Sequence, residues 1–127
     1  MASWADYDDD GLPDGRVFSV TEDANRTLWA GTDGGLFRRD GEEWREVPWT
    51  GQSGRVPVFG IHRDRTGVLW VGTSSGLHRL VNGSWERLFP QHGEVSEYVR
   101  AFLEAPNGDL WMALRGGGLV RHRQGTF

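Results

Sequence analysis

The chain has 127 residues, with 18 acidic and 14 basic side chains and a formal net charge of −4. An acidic chain without a basic cluster lacks the charge that attracts phosphates, which argues against a nucleic-acid or anionic-membrane binder. Because cysteine is absent, disulfides and thiolate metal sites are excluded and the redox compartment stays open. No apolar run reaches the length of a signal-peptide core or a membrane span, so we expect a soluble chain.

A short pattern centred on tryptophan occurs three times. Trp29, Trp70 and Trp111 lie 41 residues apart; each follows a leucine and precedes a glycine-rich bend. A fixed period of this size indicates a solenoid, a propeller or another repeat array.

The same elements follow one another in each unit. The apolar first strands cover residues 17–20, 58–61 and 99–102. A polar, glycine-containing turn then leads to the tryptophan-containing second strand. The third strands cover residues 36–39, 77–80 and 119–122. After a second turn, the fourth strands of the first two units begin near Trp44 and Trp85.

Four short strands joined by tight turns, without helical periodicity, are typical of an antiparallel four-stranded meander. About 41 residues per meander is the size of a propeller blade. We therefore predict an all-β fold, a β-propeller with three four-stranded antiparallel blades in each chain. The predicted blades span residues 15–55, 56–96 and 97–127.

The third unit differs from the other two. Ala113 and Leu114 replace the Gly-Thr pair, and the position of Trp85 corresponds to Phe127, the last residue. The third blade is thus predicted to lack its fourth strand. Residues 1–14 precede the first unit, and the residues at the position of a fourth strand are Trp4, Ala5, Asp6 and Tyr7.

Three blades do not close a ring, because propellers have about four to eight. Both ends of the arc would then expose an apolar sheet face, which usually marks an interface. We predict a closed homo-oligomer in which residues 1–14 of one chain complete the last blade of the next, beside Phe127. A homodimer with six blades is favoured over a homotrimer with nine. The alternative is an incomplete, poorly packed fragment.

These residues resemble the two-component regulator propeller repeat, whose pattern is V-x-S-I-x-x-D-x-x-G-x-L-W-x-G-T-x-x-G-L. The first unit matches from Val17 through Asp23 to Leu36, the second from Val58 to Leu77. The resemblance covers nearly the whole chain. It implies an extracytoplasmic, ligand-sensing ancestry in bacterial hybrid histidine kinases, with carbohydrate fragments as ligands. Such propellers usually have seven blades, and no multiple of three gives seven.

The resemblance and the predicted ring closure together predict a non-enzymatic, self-assembling propeller module, similar to the ligand-sensing propellers of this family. Two alternatives remain open. One is a purely structural or engineered propeller fragment without a ligand. The other is an enzyme similar to the streptogramin lyases, which need a catalytic histidine and a metal that no motif here marks out. No catalytic residue and no cofactor is predicted.

Candidate binding residues lie on the face formed by the bends and the loops between blades. Positions that correspond between repeats but differ in residue type are where specificity could reside. The candidate ligand-binding residues are Arg16, Asp33, Tyr98 and Arg115. Trp29, Trp70 and Trp111, by contrast, are predicted to pack blade against blade, with sugar stacking as the alternative.

Two polar patterns contain residue types that can bind metal ions. Asp6, Asp8 and Asp10 belong to a D-x-D-x-D-G run that resembles the start of a calcium loop, but the twelfth position is Val17 where a bidentate glutamate is needed. An acidic loop is the preferred interpretation, and no metal site is predicted. His78 and His122 occupy nearly equivalent repeat positions and are expected at the surface.

Overall fold

The computed structural model describes residues 15–48, 56–89, 99–114 and 118–123, which form three antiparallel sheets. The first sheet contains β1 (Val17–Glu22), β2 (Leu28–Thr32), β3 (Gly35–Asp40) and β4 (Glu43–Glu46). The second contains β5 (Val58–Arg63), β6 (Leu69–Thr73), β7 (Gly76–Val81) and β8 (Ser84–Phe89). The third contains β9 (Val99–Glu104), β10 (Leu110–Leu114) and β11 (Leu119–His122).

Each sheet is a meander in which sequence neighbours pair, in the orders β1-β2-β3-β4, β5-β6-β7-β8 and β9-β10-β11. Tight turns make this order possible. Between β7 and β8, Asn82 and Gly83 both adopt positive φ, as the favoured two-residue hairpin turn requires. The all-β prediction is confirmed.

Two apolar clusters of the described residues lie between the sheets, and a third, formed by Ala30, Phe37 and Trp44, belongs to the first sheet alone. The first joint, between sheets one and two, buries Trp29, Leu36, Val58, Ile61, Leu69 and Val71. The second joint, between sheets two and three, buries Trp70, Leu77, Leu88, Val99, Leu110 and Met112. Successive residues of a strand point to opposite faces, so neighbouring leucine and tryptophan side chains of β6 serve different joints. This explains why the second strands are apolar on both faces.

Glycine allows the sheets to approach closely at both joints. A Cβ atom at Gly31 would lie 2.8 Å from the Val58 carbonyl oxygen. At Gly72 it would lie 2.8 Å from Cγ1 of Val99 and closer still to the Val99 carbonyl oxygen. The first strand of each following sheet therefore rests on backbone that has no side chain.

The expected surface position of His78 is wrong. His78 is only 5% exposed, because both faces of the second sheet are covered by neighbouring sheets. Burial, together with the positive charge of Arg87, lowers the pKa of His78 to about 4. The pKa of His122 is also lowered, by burial first and then by Arg79.

Acid is therefore expected to destabilise the fold through His78. A histidine whose pKa is lower in the folded than in the unfolded chain favours unfolding when it is protonated. The free energy of unfolding should thus fall between about pH 6.5 and pH 4, by on the order of 3 kcal/mol for His78. Denaturant unfolding across this range measures the loss, and His78→Phe, which copies Phe37 of the first sheet, should flatten the profile. Identical slopes in both proteins would contradict the assignment.

Candidate functional site

Arg16 and Asp33, two of the predicted ligand residues, meet at the bend between β2 and β3. The Arg16 amide donates to the Asp33 carboxylate at 3.2 Å, and the Asp33 amide donates to the Arg16 carbonyl at 3.1 Å. The second sheet repeats the backbone bond, from Ser74 to Pro57. The bend thus places differing side chains at matched, accessible positions. Tyr98 and Arg115 lie outside the described residues.

In each of the first two units an aspartate carboxylate accepts a hydrogen bond from the indole of the repeat tryptophan, and we call this contact the clasp. The Trp29 indole N–H donates to Asp23 at 2.9 Å, and that of Trp70 donates to Asp64 at 2.8 Å. The other oxygen of Asp64 accepts from the amides of Thr66 and Val68. Sequence analysis missed this clasp, although its signal, an aspartate six residues before a tryptophan, occurs twice.

The clasp stabilises the ionised form of its aspartates. Burial alone would raise the pKa of Asp64, but the hydrogen bonds from Thr66, Trp70 and Val68 outweigh it and lower the pKa below its usual value. The third unit has Ala105 in the equivalent position. There, Asp109 instead binds the Arg123 guanidinium, at 2.6 to 3.0 Å.

The three repeat tryptophans have similar contacts but different exposure. An arginine guanidinium lies over each indole, 5.2 to 5.7 Å from its centre, a distance typical of cation–π attraction. Trp29 is buried in the first joint and Trp70 in the second. Trp111 is only half-buried, because in the described part of the chain no further sheet follows the third.

The outer side of the third sheet forms an apolar groove of about 400 Å³. We name this surface the C-terminal face; it comprises Ala101, Leu103, Trp111, Ala113 and Leu119. Leu103 and Leu119 are among the most exposed large apolar side chains of the described chain.

On the outer side of the first sheet Ala30, Phe37 and Trp44 are buried, but another part of that side is exposed. We name this exposed part the N-terminal face, formed by Val17, Val20 and Leu28, all of them exposed. Their equivalents in the second sheet are buried against the first sheet. The arc of three sheets therefore ends in two exposed apolar surfaces. The C-terminal face carries Trp111, and the N-terminal face corresponds to the surface with which the second sheet covers Trp29.

Other predicted site residues lie outside the described residues. These are the strand-exchange residues Trp4, Ala5, Asp6, Tyr7 and Phe127 and the weak calcium candidates Asp6, Asp8 and Asp10. Among the residues that the structure describes, no three histidine or carboxylate side chains are grouped so that they could hold a metal ion. Nor does any helix in that part of the chain have the length and apolarity needed to cross a membrane.

Residues 11–34 and 51–75 match the family model described as two component regulator propeller. Both segments overlap the first two repeat units, and the resemblance to this repeat family is confirmed. No curated protein matches the sequence at a significant level.

Solved structures share the fold. The extracellular domain assigned to the one component system BT4673 from B. thetaiotaomicron is 22% identical, with a TM-score of 0.78 over 97% of this chain and 17% of that chain. The extracellular domain assigned to the hybrid two component system BT3049 from B. thetaiotaomicron is 19% identical, with a TM-score of 0.72 over 92% of this chain and 18% of that chain. Virginiamycin B lyase from Staphylococcus aureus is 14% identical, with a TM-score of 0.55 over 88% of this chain and 42% of that chain.

These likenesses confirm the propeller fold. The chain spans about a sixth of the length of the extracellular domains and less than half of the lyase. At such identities the comparison concerns the arrangement of strands and sheets only.

Proposed function

We propose that these two-component regulator propeller repeats form a non-enzymatic module that completes its ring by associating with further copies of the chain. In this proposal the C-terminal face of one copy is covered by the N-terminal face of the next. The fold likeness to virginiamycin B lyase, at 14% identity, gives no support to an enzymatic role. The extracellular relatives support an extracytoplasmic location.

One comparison of matched positions carries the proposal. Leu36 and Leu77, which occupy the same place in the first two units, are 0% exposed, whereas Leu119 is 66% exposed. At the opposite end, Val20 is 61% exposed where its equivalent Ile61 is 8% exposed. At these two repeat positions the side chain is therefore core inside the arc and surface at its end, as expected for a surface that packs against a further sheet.

The energy available is sufficient for association. We call the contact between the C-terminal face of one copy and the N-terminal face of the next a seam. Burying about five large apolar side chains at roughly 2 kcal/mol each gives on the order of 10 kcal/mol per seam. The entropic cost of association is about 4–15 kcal/mol, and closing a ring of two copies forms two seams. Head-to-tail contacts of this kind give closed rings when the rotation closes.

The homodimer is the favoured assembly because its six blades fall within the usual range, whereas a homotrimer has nine. Strand exchange is part of the proposal. In the described residues β11 is an edge strand of its sheet, where β4 and β8 pair with the third strands of the other sheets. We place Trp4, Ala5, Asp6 and Tyr7 of the next copy beside β11.

Mass in solution tests this directly. Multi-angle light scattering should give twice the chain mass of 14.3 kDa, and Leu119→Arg should reduce it to a single chain by placing a charge in the seam. Glu42→Arg, at an exposed turn position, is the matched control and should keep the oligomer, while circular dichroism checks folding. A wild-type protein of 14.3 kDa at all concentrations would overturn the proposal.

Ligand sensing is the second candidate function, because the fold relatives are extracellular domains assigned to signalling systems. The bend at Arg16 and Asp33 offers both charges on an accessible edge, which suits a hydroxyl-rich ligand such as a carbohydrate. Calorimetric titration of oligosaccharides into the intact oligomer separates a sensor from a purely structural module. Binding that Asp33→Asn removes would favour the sensor.

A further inference from the structure

The C-terminal face is not a copy of the faces that form the two joints within the chain. Where the first two units have Gly31 and Gly72, the third has Ala113. Where they have Thr21 and His62, it has Leu103. This face is therefore bulkier and more apolar than its equivalents.

The alanine falls at the point of closest approach. In both joints the carbonyl of the next sheet's first valine, Val58 or Val99, rests on the glycine, leaving less than an ordinary contact distance for a Cβ atom. Ala113 carries a methyl group in that position. In a second copy the corresponding carbonyl belongs to Val17.

We infer that the seam between two copies is wider than the joints within a chain and is the place where the ring opens. Contacts between carbon and a carbonyl oxygen are about 3.3–3.6 Å. A second copy docked as sheet two docks on sheet one would bring the Val17 carbonyl within about 2.8 Å of the Ala113 methyl. The seam must therefore be at least about 0.5 Å wider. This inference rests on the proposed self-association.

The occupant that this surface fits is the N-terminal face of a second copy. The groove beside Trp111 and Leu119 is lined by alanine, leucine and aromatic side chains, and the Arg121 guanidinium lies over the Trp111 indole as Arg38 and Arg79 do over the indoles of the two joints. Val20 and Leu28 of the opposite face are apolar and exposed. Leu103, larger than the threonine at the matched position of the first sheet, extends across the added distance.

A wider seam makes fewer close contacts, and dispersion attraction falls off steeply with such gaps. Each joint within the chain is also covalently linked, whereas the seam is not. The ring is therefore expected to open at the seams while the three-sheet arc stays folded, which makes association reversible.

The test is Ala113→Gly, which restores the residue of the other two units. Its dissociation constant, from analytical ultracentrifugation, should fall at least tenfold relative to wild type, and Ala113→Val should raise it. Where dissociation lies below the detectable range, exchange between fluorescently labelled chains should be slower in Ala113→Gly. Ala101→Gly is the matched control on the same face and should tighten association less than Ala113→Gly. The first joint accommodates the Ser19 side chain at the equivalent position, and at Gly60 in the second joint a Cβ atom would lie 3.0 Å from the nearest carbonyl oxygen, farther than at Gly31 or Gly72.

The outcomes separate the two proposals. An oligomeric wild type whose association Ala113→Gly leaves unchanged or weakens would overturn the wider seam but not the assembly. A wild type that remains monomeric would overturn the assembly and the seam with it. Thermal unfolding at a concentration where both proteins are dissociated shows whether the substitution acts on the seam or on the fold of the arc.

Discussion

Gly72→Ala is expected to lower the free energy of unfolding by about 3 kcal/mol or more, at the upper end of overpacking effects. The added methyl group would lie 2.8 Å from Cγ1 of Val99 and would also meet the Val99 backbone. A backbone carbonyl in a paired strand cannot rotate aside as a flexible side chain can. The second joint would have to separate along its whole length.

Chemical denaturation monitored by tryptophan fluorescence measures this loss. Gly83→Ala is the matched control, since a Cβ atom there meets nothing within 4 Å. Its positive φ of 80° costs about 1–2 kcal/mol for a residue with a side chain. Equal losses in the two variants would show that the joint yields easily and would contradict the close approach seen here.

Leu77→Ala is expected to cost about 2–5 kcal/mol, the range for deleting a buried leucine side chain. Leu77 is fully buried in the second joint, against Val99, Leu110 and Met112. The same change at the matched position, Leu119→Ala, should cost less than about 0.5 kcal/mol in the dissociated chain, because exposed positions tolerate substitution.

The comparison needs both states of assembly. Unfolding is measured at a concentration at which wild-type chains are dissociated, and association is measured separately. Leu119→Ala should weaken association while leaving the dissociated chain stable. If Leu119→Ala destabilised the dissociated chain as much as Leu77→Ala does, the C-terminal face would already be covered within one chain.

The strands and their order were predictable because their signals are local. The period between Trp29 and Trp70, the turn at Asn82 and Gly83 and the apolar runs between them depend on a few neighbouring residues. Pairing of sequence neighbours then follows from turn length alone. The resemblance to a known repeat added the prediction that the meanders stack as propeller blades.

Features that depend on the next sheet were not predictable. The burial of His78 arises because both faces of the second sheet are covered, whereas charged and polar neighbours in its own strand suggested solvent. In the sequence Gly31 resembles a glycine that is needed for a turn. The structure shows instead that the Val58 backbone packs directly against it. The contact of Asp64 with the Trp70 indole is different, because it lies within a single hairpin and its spacing of six residues is visible in the sequence.

The position of the core also determines how the molecule fluctuates. Because the two larger apolar clusters lie between sheets, the second sheet packs against a neighbouring sheet on both sides, whereas the third does so on one side only. In arrays stabilised by nearest-neighbour contacts, terminal units open first. Amide hydrogens of β6 should therefore exchange with deuterated solvent more slowly than those of β10, and this difference should disappear when every sheet has two neighbours.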